Sequence, residues 1–231
     1  MSSLVLVTGG TGTLGRRVVD RLQRAGRPVR VLSRHAPAEG RGSGVEHVIG
    51  DLSGGSGVVA ALDGVGTVVH CAGSATGDEA KTQQLVRAAT DAGGPHLVLI
   101  SVVGADRLPV ETAVDRALFG YFAAKGRAER VVAESGLPWS TVRATQFHQS
   151  LLAMVRTMTR MPIVPVPAGW RFQPVDAGEV ADRLVELALG PPAGLVPDVA
   201  GPEVHAMTDL LRGYLAATGR RRPLLPVPLP G

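Results

Sequence analysis

Cysteine, aromatic side chains and long apolar runs are what this chain lacks, and each lack excludes something. Its single cysteine, Cys71, rules out an intrachain disulfide framework and any metal site built from several thiolates. The six histidines are not grouped at ligand spacing, so no metal is expected. Aromatics make up only 3% of residues and the arginines are scattered. Nucleic-acid surfaces interleave basic residues with stacking rings, so no nucleic-acid partner is expected despite a formal net charge of +4. A small anionic ligand explains that mild excess equally well. No apolar stretch reaches the ~20 residues of a membrane-spanning helix, and the first strand-like run starts too close to Met1 for a signal peptide. The expectation is a cytoplasmic protein without a membrane partner, monomeric or homodimeric, its 231 residues sharing one core.

What the chain has in quantity is glycine, 30 residues of it, and one glycine stretch organises the rest. Thr8-Gly9-Gly10-Thr11-Gly12-Thr13-Leu14-Gly15 follows a short apolar run, 4–7, and opens a helical pattern expected to begin at Arg16. Gly9, Gly12 and Gly15 stand three apart. Glycine admits positive φ and lets a ligand approach closer than a Cβ would allow. The helix amino end offers free N–H groups and the positive pole of its dipole, which suits a pyrophosphate. Strand, glycine turn and helix in that order are the context a dinucleotide site requires.

The remaining pattern alternates strands with helices. Strands are expected over 28–32, 45–49, 67–70 and 96–101, and helices over 58–62 and 78–92. That rhythm implies right-handed crossovers and a doubly wound parallel sheet of Rossmann type. Ligands collect at the carboxyl ends of such strands, where Gly9 to Gly15, Ser33, Arg34, Asp51, Cys71, Ala72, Gly73, Ser74 and Ser101 are expected. The group meeting the adenosine ribose normally follows the second strand. An acid there would bind a free 2′-hydroxyl, whereas Ser33-Arg34 offers a planar fork to a 2′-phosphate, favouring NADP over NAD. Asp51 either accepts from the adenine amino group or caps the next helix. His70 and Cys71 read as packing residues.

Tyr121 and Lys125 fall four apart in a helical stretch, 115–135, and so share a face. A free phenol ionises near ~10, too high to trade protons well at neutral pH, and an ammonium held close favours the phenolate. With Ser101 polarising a carbonyl oxygen, the set places a proton donor opposite a hydride donor.

Together the glycine turn, Gly50-Asp51-Leu52, Ile100-Ser101-Val102-Val103-Gly104 and Tyr121-Phe122-Ala123-Ala124-Lys125 resemble the short-chain dehydrogenase/reductase superfamily. The resemblance is greatest to its atypical NmrA-like NAD(P)-binding branch, whose glycines are spaced GxxGxxG. It runs on through Leu137-Pro138-Trp139-Ser140-Thr141-Val142-Arg143-Ala144 and Gln173-Pro174-Val175-Asp176, covering nearly the whole chain. It implies Tyr121 as acid/base, Lys125 as its partner and ribose ligand, Ser101 as third member, and Asp51 as an adenine contact. Thr11, Thr13, Leu14 and Leu52 lie within the cofactor motifs. The chain departs from many relatives in following Ser101 with Val102-Val103 rather than further hydroxyls. Relatives also commonly continue beyond residue 231, so a shortened substrate cap is expected.

Residues 1–147 are thus expected to form the dinucleotide-binding core. Residues 148–231 are expected to form a small, interleaved substrate-binding part sharing that core. Gln146, Phe147 and His148 would project from a strand end toward the nicotinamide, with Trp170 a further substrate contact. A methionine-bearing helix over 150–160, an extended proline-rich stretch over 162–170, and helices over 176–189 and 208–217 follow. The stretch 223–230 holds too many prolines for a regular helix or a central strand. The function expected is an NAD(P)H-dependent reduction of a carbonyl or activated double bond in a small apolar molecule. The alternatives are a non-catalytic NADP-binding redox sensor and a cofactor-retaining isomerase or epimerase.

Overall fold

The computed structural model describes residues 3–36, 44–73, 77–107 and 113–228, apart from the side chains of 113–119. Ser74 and the last residues of the closing proline-rich stretch lie outside the described residues. Along the chain run β1 (Leu4–Thr8), α1 (Thr13–Arg24), β2 (Val29–Ser33), β3 (Val45–Ile49), α2 (Val58–Leu62) and β4 (Val65–His70). Then come α3 (Asp78–Asp91), β5 (His96–Val102), α4 (Ala113–Ala133), β6 (Trp139–Ala144), α5 (His148–Met158), β7 (Val164–Pro167) and β8 (Arg171–Phe172). The chain closes with α6 (Ala177–Leu189), β9 (Gly194–Leu195), β10 (His205–Ala206), α7 (Met207–Ala217) and β11 (Leu224–Val227). Among the described residues, no helix is long and apolar enough to cross a membrane.

The chain divides into two compact units, Met1–Ala144 with Ala177–Asp198, and Thr145–Asp176 with Val199–Gly231. The single break expected after residue 147 is therefore replaced by three crossings. Residues 177–198 return to the first unit because α6 carries a buried apolar stripe of Val180, Ala181 and Leu184 that packs beside α1, and β9 pairs with β6.

In the first unit seven parallel strands line up in the order β3-β2-β1-β4-β5-β6-β9. Both faces of a parallel sheet are covered, which is why β1, β2 and β5 read as nearly unbroken apolar runs. Leu6, Val68, Leu97 and Leu99 turn to one face, where Val58, Leu62, Leu85, Ala89 and Val132 from α2, α3 and α4 close over them. Val5 and Val7 alternate to the other face, the side of α1 and α6. Strands β1 to β3 step outward one way and β4, β5, β6 and β9 the other. The sheet therefore reverses between β1 and β4, and a crevice opens beyond their carboxyl ends.

Helix α1 starts at Thr13, a turn earlier than the expected Arg16. The reason is Gly15, which is inside the first turn rather than ahead of it: a Cβ there would overlap the Gly9 carbonyl. Only a side-chain-free residue lets the helix begin so close to the strand it leaves.

The second unit has a small core of Val155, Val164, Val166, Met207 and Leu211, with Met154, Met158, Trp170, Phe172, Tyr214 and Leu224 packed around it. Its two sheets have two strands each, β11 parallel to β7 and β10 antiparallel to β8. Every strand there is an edge, which is where Pro165, Pro167 and Pro226 are tolerated.

Candidate functional site

A cavity of about 930 Å³ occupies the crevice at the carboxyl ends of β1 to β4. Its walls are the turn Gly9-Gly10-Thr11-Gly12, the segment Ser33 to Ala36, Gly50 to Ser53, and Cys71-Ala72-Gly73, joined by Arg16, Asp20, Gln23, His47 and Lys81. All belong to the first unit.

The glycines are required where they stand. Gly9 has φ +69°, and a Cβ on it would lie 2.7 Å from the Ala72 amide nitrogen. One on Gly10 would lie 2.8 Å from the Val31 side chain. The Gly12 amide donates to the Gly9 carbonyl over 3.0 Å and closes the turn. Gly12 is also the N-cap of α1, where no side chain caps the helix and no acid occupies the first turn. The amino end of α1 thus borders the cavity with no side-chain cap and no acid in its first turn, which fits the pyrophosphate of a nicotinamide dinucleotide.

Beyond the end of β2 the Ser33 hydroxyl donates to the His35 carbonyl over 2.7 Å, bending the chain so that Arg34 stands exposed on the wall. Asp51 does not cap the following helix, whose N-cap is Gly57. Its Oδ1 accepts the Ser53 amide over 3.0 Å while its own amide donates to the Ser56 carbonyl over 2.9 Å, so it closes a loop that presents Leu52 and Ser53 to the cavity.

On the far side of the crevice is a buried polar cluster. Thr8 and His70, partners across β1 and β4, place the Thr8 hydroxyl 2.6 Å from His70 Nδ1. The Thr82 hydroxyl lies 3.4 Å from Nε2 and gives its one proton to the Asp78 carbonyl over 2.7 Å. Proton counting then makes Nε2–H the donor to Thr82 and Nδ1 the acceptor from Thr8. Burial above all, aided by the Lys125 charge and opposed by Asp78, lowers the His70 pKa to about 3, so the ring stays neutral. Burial likewise pushes the Cys71 thiol up to about 12, against the pull of Lys125, leaving it an inert part of the wall.

Lys125 is buried and its Nζ lies 2.9 Å from Asp78 Oδ2. It stands directly behind the cavity wall, since a Cβ on Gly73 would lie 3.0 Å from that Nζ. One turn further along α4, Glu129 accepts from buried Arg143 on β6 over 2.9 and 2.6 Å, and Arg143 also reaches Asp106 over 2.9 Å. The bond to Glu129 raises the Arg143 pKa despite partial burial. Two successive turns of α4 are thus pinned by ion pairs to different elements, α3 and β6. Tyr121, one turn before Lys125, is 38% exposed, its ring edge-on to Phe122 at 5.7 Å between centroids. Ser101, at the end of β5, is 4% exposed and its Oγ has no hydrogen-bond partner among the described residues.

Of the residues singled out from sequence, Gly9, Thr11, Gly12, Ser33, Arg34, Asp51, Leu52, Cys71, Ala72 and Gly73 come together on the cavity wall. Leu14 and Gly15 are buried within α1 and Thr13 is exposed on its first turn. Gln146, Phe147, His148 and Trp170 all belong to the second unit. There Phe147 bridges Val175, the Gln146 carbonyl accepts the Val175 amide over 3.0 Å, and exposed His148 opens α5. The Trp170 ring meets Phe172 at 6.1 Å beside that unit's core. Sequence reading missed Arg16, His47 and Lys81 on the wall, and the Asp78 and Arg143 clamps. Arg16 was visible in principle, being one residue past the last glycine of the turn.

Comparison with known proteins agrees with this geometry. A family model described as NAD(P)H-binding matches residues 9–164. The chain belongs to that NAD(P)H-binding family. It is similar to the NAD(P)H azoreductase of Xenophilus azovorans, 31% identical over 227 residues, covering 94% of this chain and 74% of the relative. It is also similar to a (4-alkanoyl-5-oxo-2,5-dihydrofuran-3-yl)methyl phosphate reductase of Streptomyces griseus, 34% identical over 151 residues. That match covers 65% of this chain and spans only half the relative's length. A nucleoside-diphosphate-sugar epimerase from Staphylococcus aureus shares the fold, with TM-score 0.78 at 22% identity over 98% of this chain and 80% of that one. This NAD(P)H-binding chain thus has reductases among its relatives.

Proposed function

We propose that the chain is an NADPH-dependent reductase acting on a carbonyl or activated double bond of a small apolar molecule. The observation that carries this reading is Lys125, buried against Gly73 in the cavity wall and one turn from an accessible phenol on the same helix. When bound, NADPH supplies the hydride. Tyr121 gives its phenolic proton to the atom where negative charge develops, Lys125 holds the hydroxyls of the nicotinamide ribose, and the Ser101 hydroxyl donates to the substrate oxygen. Arg34, exposed at the adenosine side, would pair with a 2′-phosphate and favour NADPH over NADH. The reductase names of the azoreductase and furanone-type relatives support a reduction of a conjugated or carbonyl group.

The test follows NADPH absorbance with a panel of quinones, enones, ketones and azo dyes. The reading requires net loss of NADPH with at least one class, and a fall of roughly 10²–10⁴-fold in kcat on Tyr121→Phe with NADPH affinity kept. Tight NADPH binding without turnover, indifferent to Tyr121→Phe, would leave a binding regulator instead.

A further inference from the structure

We propose that Asp78 is a positioning residue of the cofactor site, its carboxylate holding the Lys125 ammonium against the cavity wall at Gly73. The inference rests on the reading of Lys125 as a ribose ligand and goes one residue beyond it.

Asp78 is the first residue of α3, where an acid ordinarily sits in water beside the positive end of the helix dipole. This one is 2% exposed. The chain turns into the helix at Gly77 with φ +78°, a conformation that costs glycine little, and the turn delivers the carboxylate inward. There it meets Lys125 Nζ at 2.9 Å, both side chains being almost fully buried. A buried ion pair is a poor way to gain stability, because the desolvation of two charges offsets most of their attraction and an apolar pair of similar volume folds as well. Its use is to fix a charge at a defined point. Thr82 is committed to the Asp78 carbonyl and, through His70, to Thr8, and the neutral His70 ring does not compete for the carboxylate. A flexible four-carbon stem that would otherwise sample many rotamers is thereby restricted to the position behind Gly73.

The adenosine side of the cavity is built from other elements, the Ser33 turn and the Asp51 loop. A defect at Asp78 should accordingly weaken ligands that extend to Lys125 and spare those that stop at the adenosine.

Calorimetry with NADPH and with 2′,5′-ADP separates the two. Asp78→Asn is expected to weaken NADPH about tenfold to a hundredfold, the equivalent of one charge-assisted hydrogen bond, and to leave 2′,5′-ADP within about twofold. Asp78→Glu should recover most of the NADPH affinity. Equal loss for both ligands, or no loss for either, overturns the proposal. Should Asp78→Asn not fold, the charge-balanced Asp78→Asn/Lys125→Met variant is compared with Lys125→Met alone. The proposal requires equal NADPH affinities in those two, and a further loss in the double variant overturns it. If the unaltered chain binds 2′,5′-ADP but not NADPH, the ribose-ligand reading fails before Asp78 is tested, and this inference falls with it.

Discussion

In the first unit a side chain's place follows from strand register, whereas in the second it follows from packing around five buried residues. Seven paired strands fix Thr8, Ser33, His70 and Ser101 at one edge of the sheet, and glycines let the connecting turns close against each other there. Among the described residues the second unit has only paired edge strands and a core edged by Met154, Met158 and Trp170, side chains that accommodate irregular shapes. A rigid frame suits a constant ligand such as a dinucleotide. An adaptable surface suits a part whose contacts vary.

Four changes break or sharpen this contrast. The largest effect on stability is expected at the small core: Leu211→Ala should cost about 2–5 kcal/mol in denaturant unfolding. It should leave NADPH affinity unchanged in the folded fraction, because every cavity residue belongs to the first unit. Gly15→Ala comes next. Glycine to alanine inside a helix normally stabilises, yet here the methyl must displace the Gly9 carbonyl, and a loss of about 1–3 kcal/mol with markedly weaker NADPH binding is expected.

The third change concerns pH. His70 has its folded pKa lowered to about 3 from 6.5, so the unfolded chain takes up a proton between those values while the folded chain does not. The contribution is fully present above pH 6.5 and is lost as pH falls toward 3, with a slope of up to about 1.4 kcal/mol per pH unit. His70→Asn should flatten that part of the urea-unfolding profile, and an unchanged slope would assign the acid sensitivity elsewhere. The smallest effect is the mirror of the second. Gly213 lies in α7 with open space where a Cβ would go, so Gly213→Ala should stabilise by about 0.5–1 kcal/mol, read as a rise in Tm.

The same contrast explains what could be read from sequence. Strands such as Val45–Ile49 and helices such as Val58–Leu62 follow directly from apolar runs and glycine punctuation, and the cavity wall from Gly9 to Gly73 follows from the rule that ligands meet strand ends. The sequence pattern puts the start of α1 a turn late because Gly15 has the look of a turn residue, whereas its missing Cβ is what lets the helix start beside the Gly9 carbonyl. Asp51 offered two roles by spacing; the helix cap falls to Gly57 instead, and Asp51 closes its own loop on the cavity wall. Asp78 carried only the generic signal of an acid at a helix start, and its partner is on another helix. The return of 177–198 to the sheet was hidden because α6 has an ordinary amphipathic pattern that does not name the surface it covers.

The central claim is that a dinucleotide's phosphates rest on the amino end of α1. Amide hydrogen exchange with and without NADPH tests it most directly. The account predicts protection of residues 9–16 on NADPH binding, accompanied by 33–36. Saturating NADPH that leaves the amides of 9–16 exchanging at their free rate would contradict it.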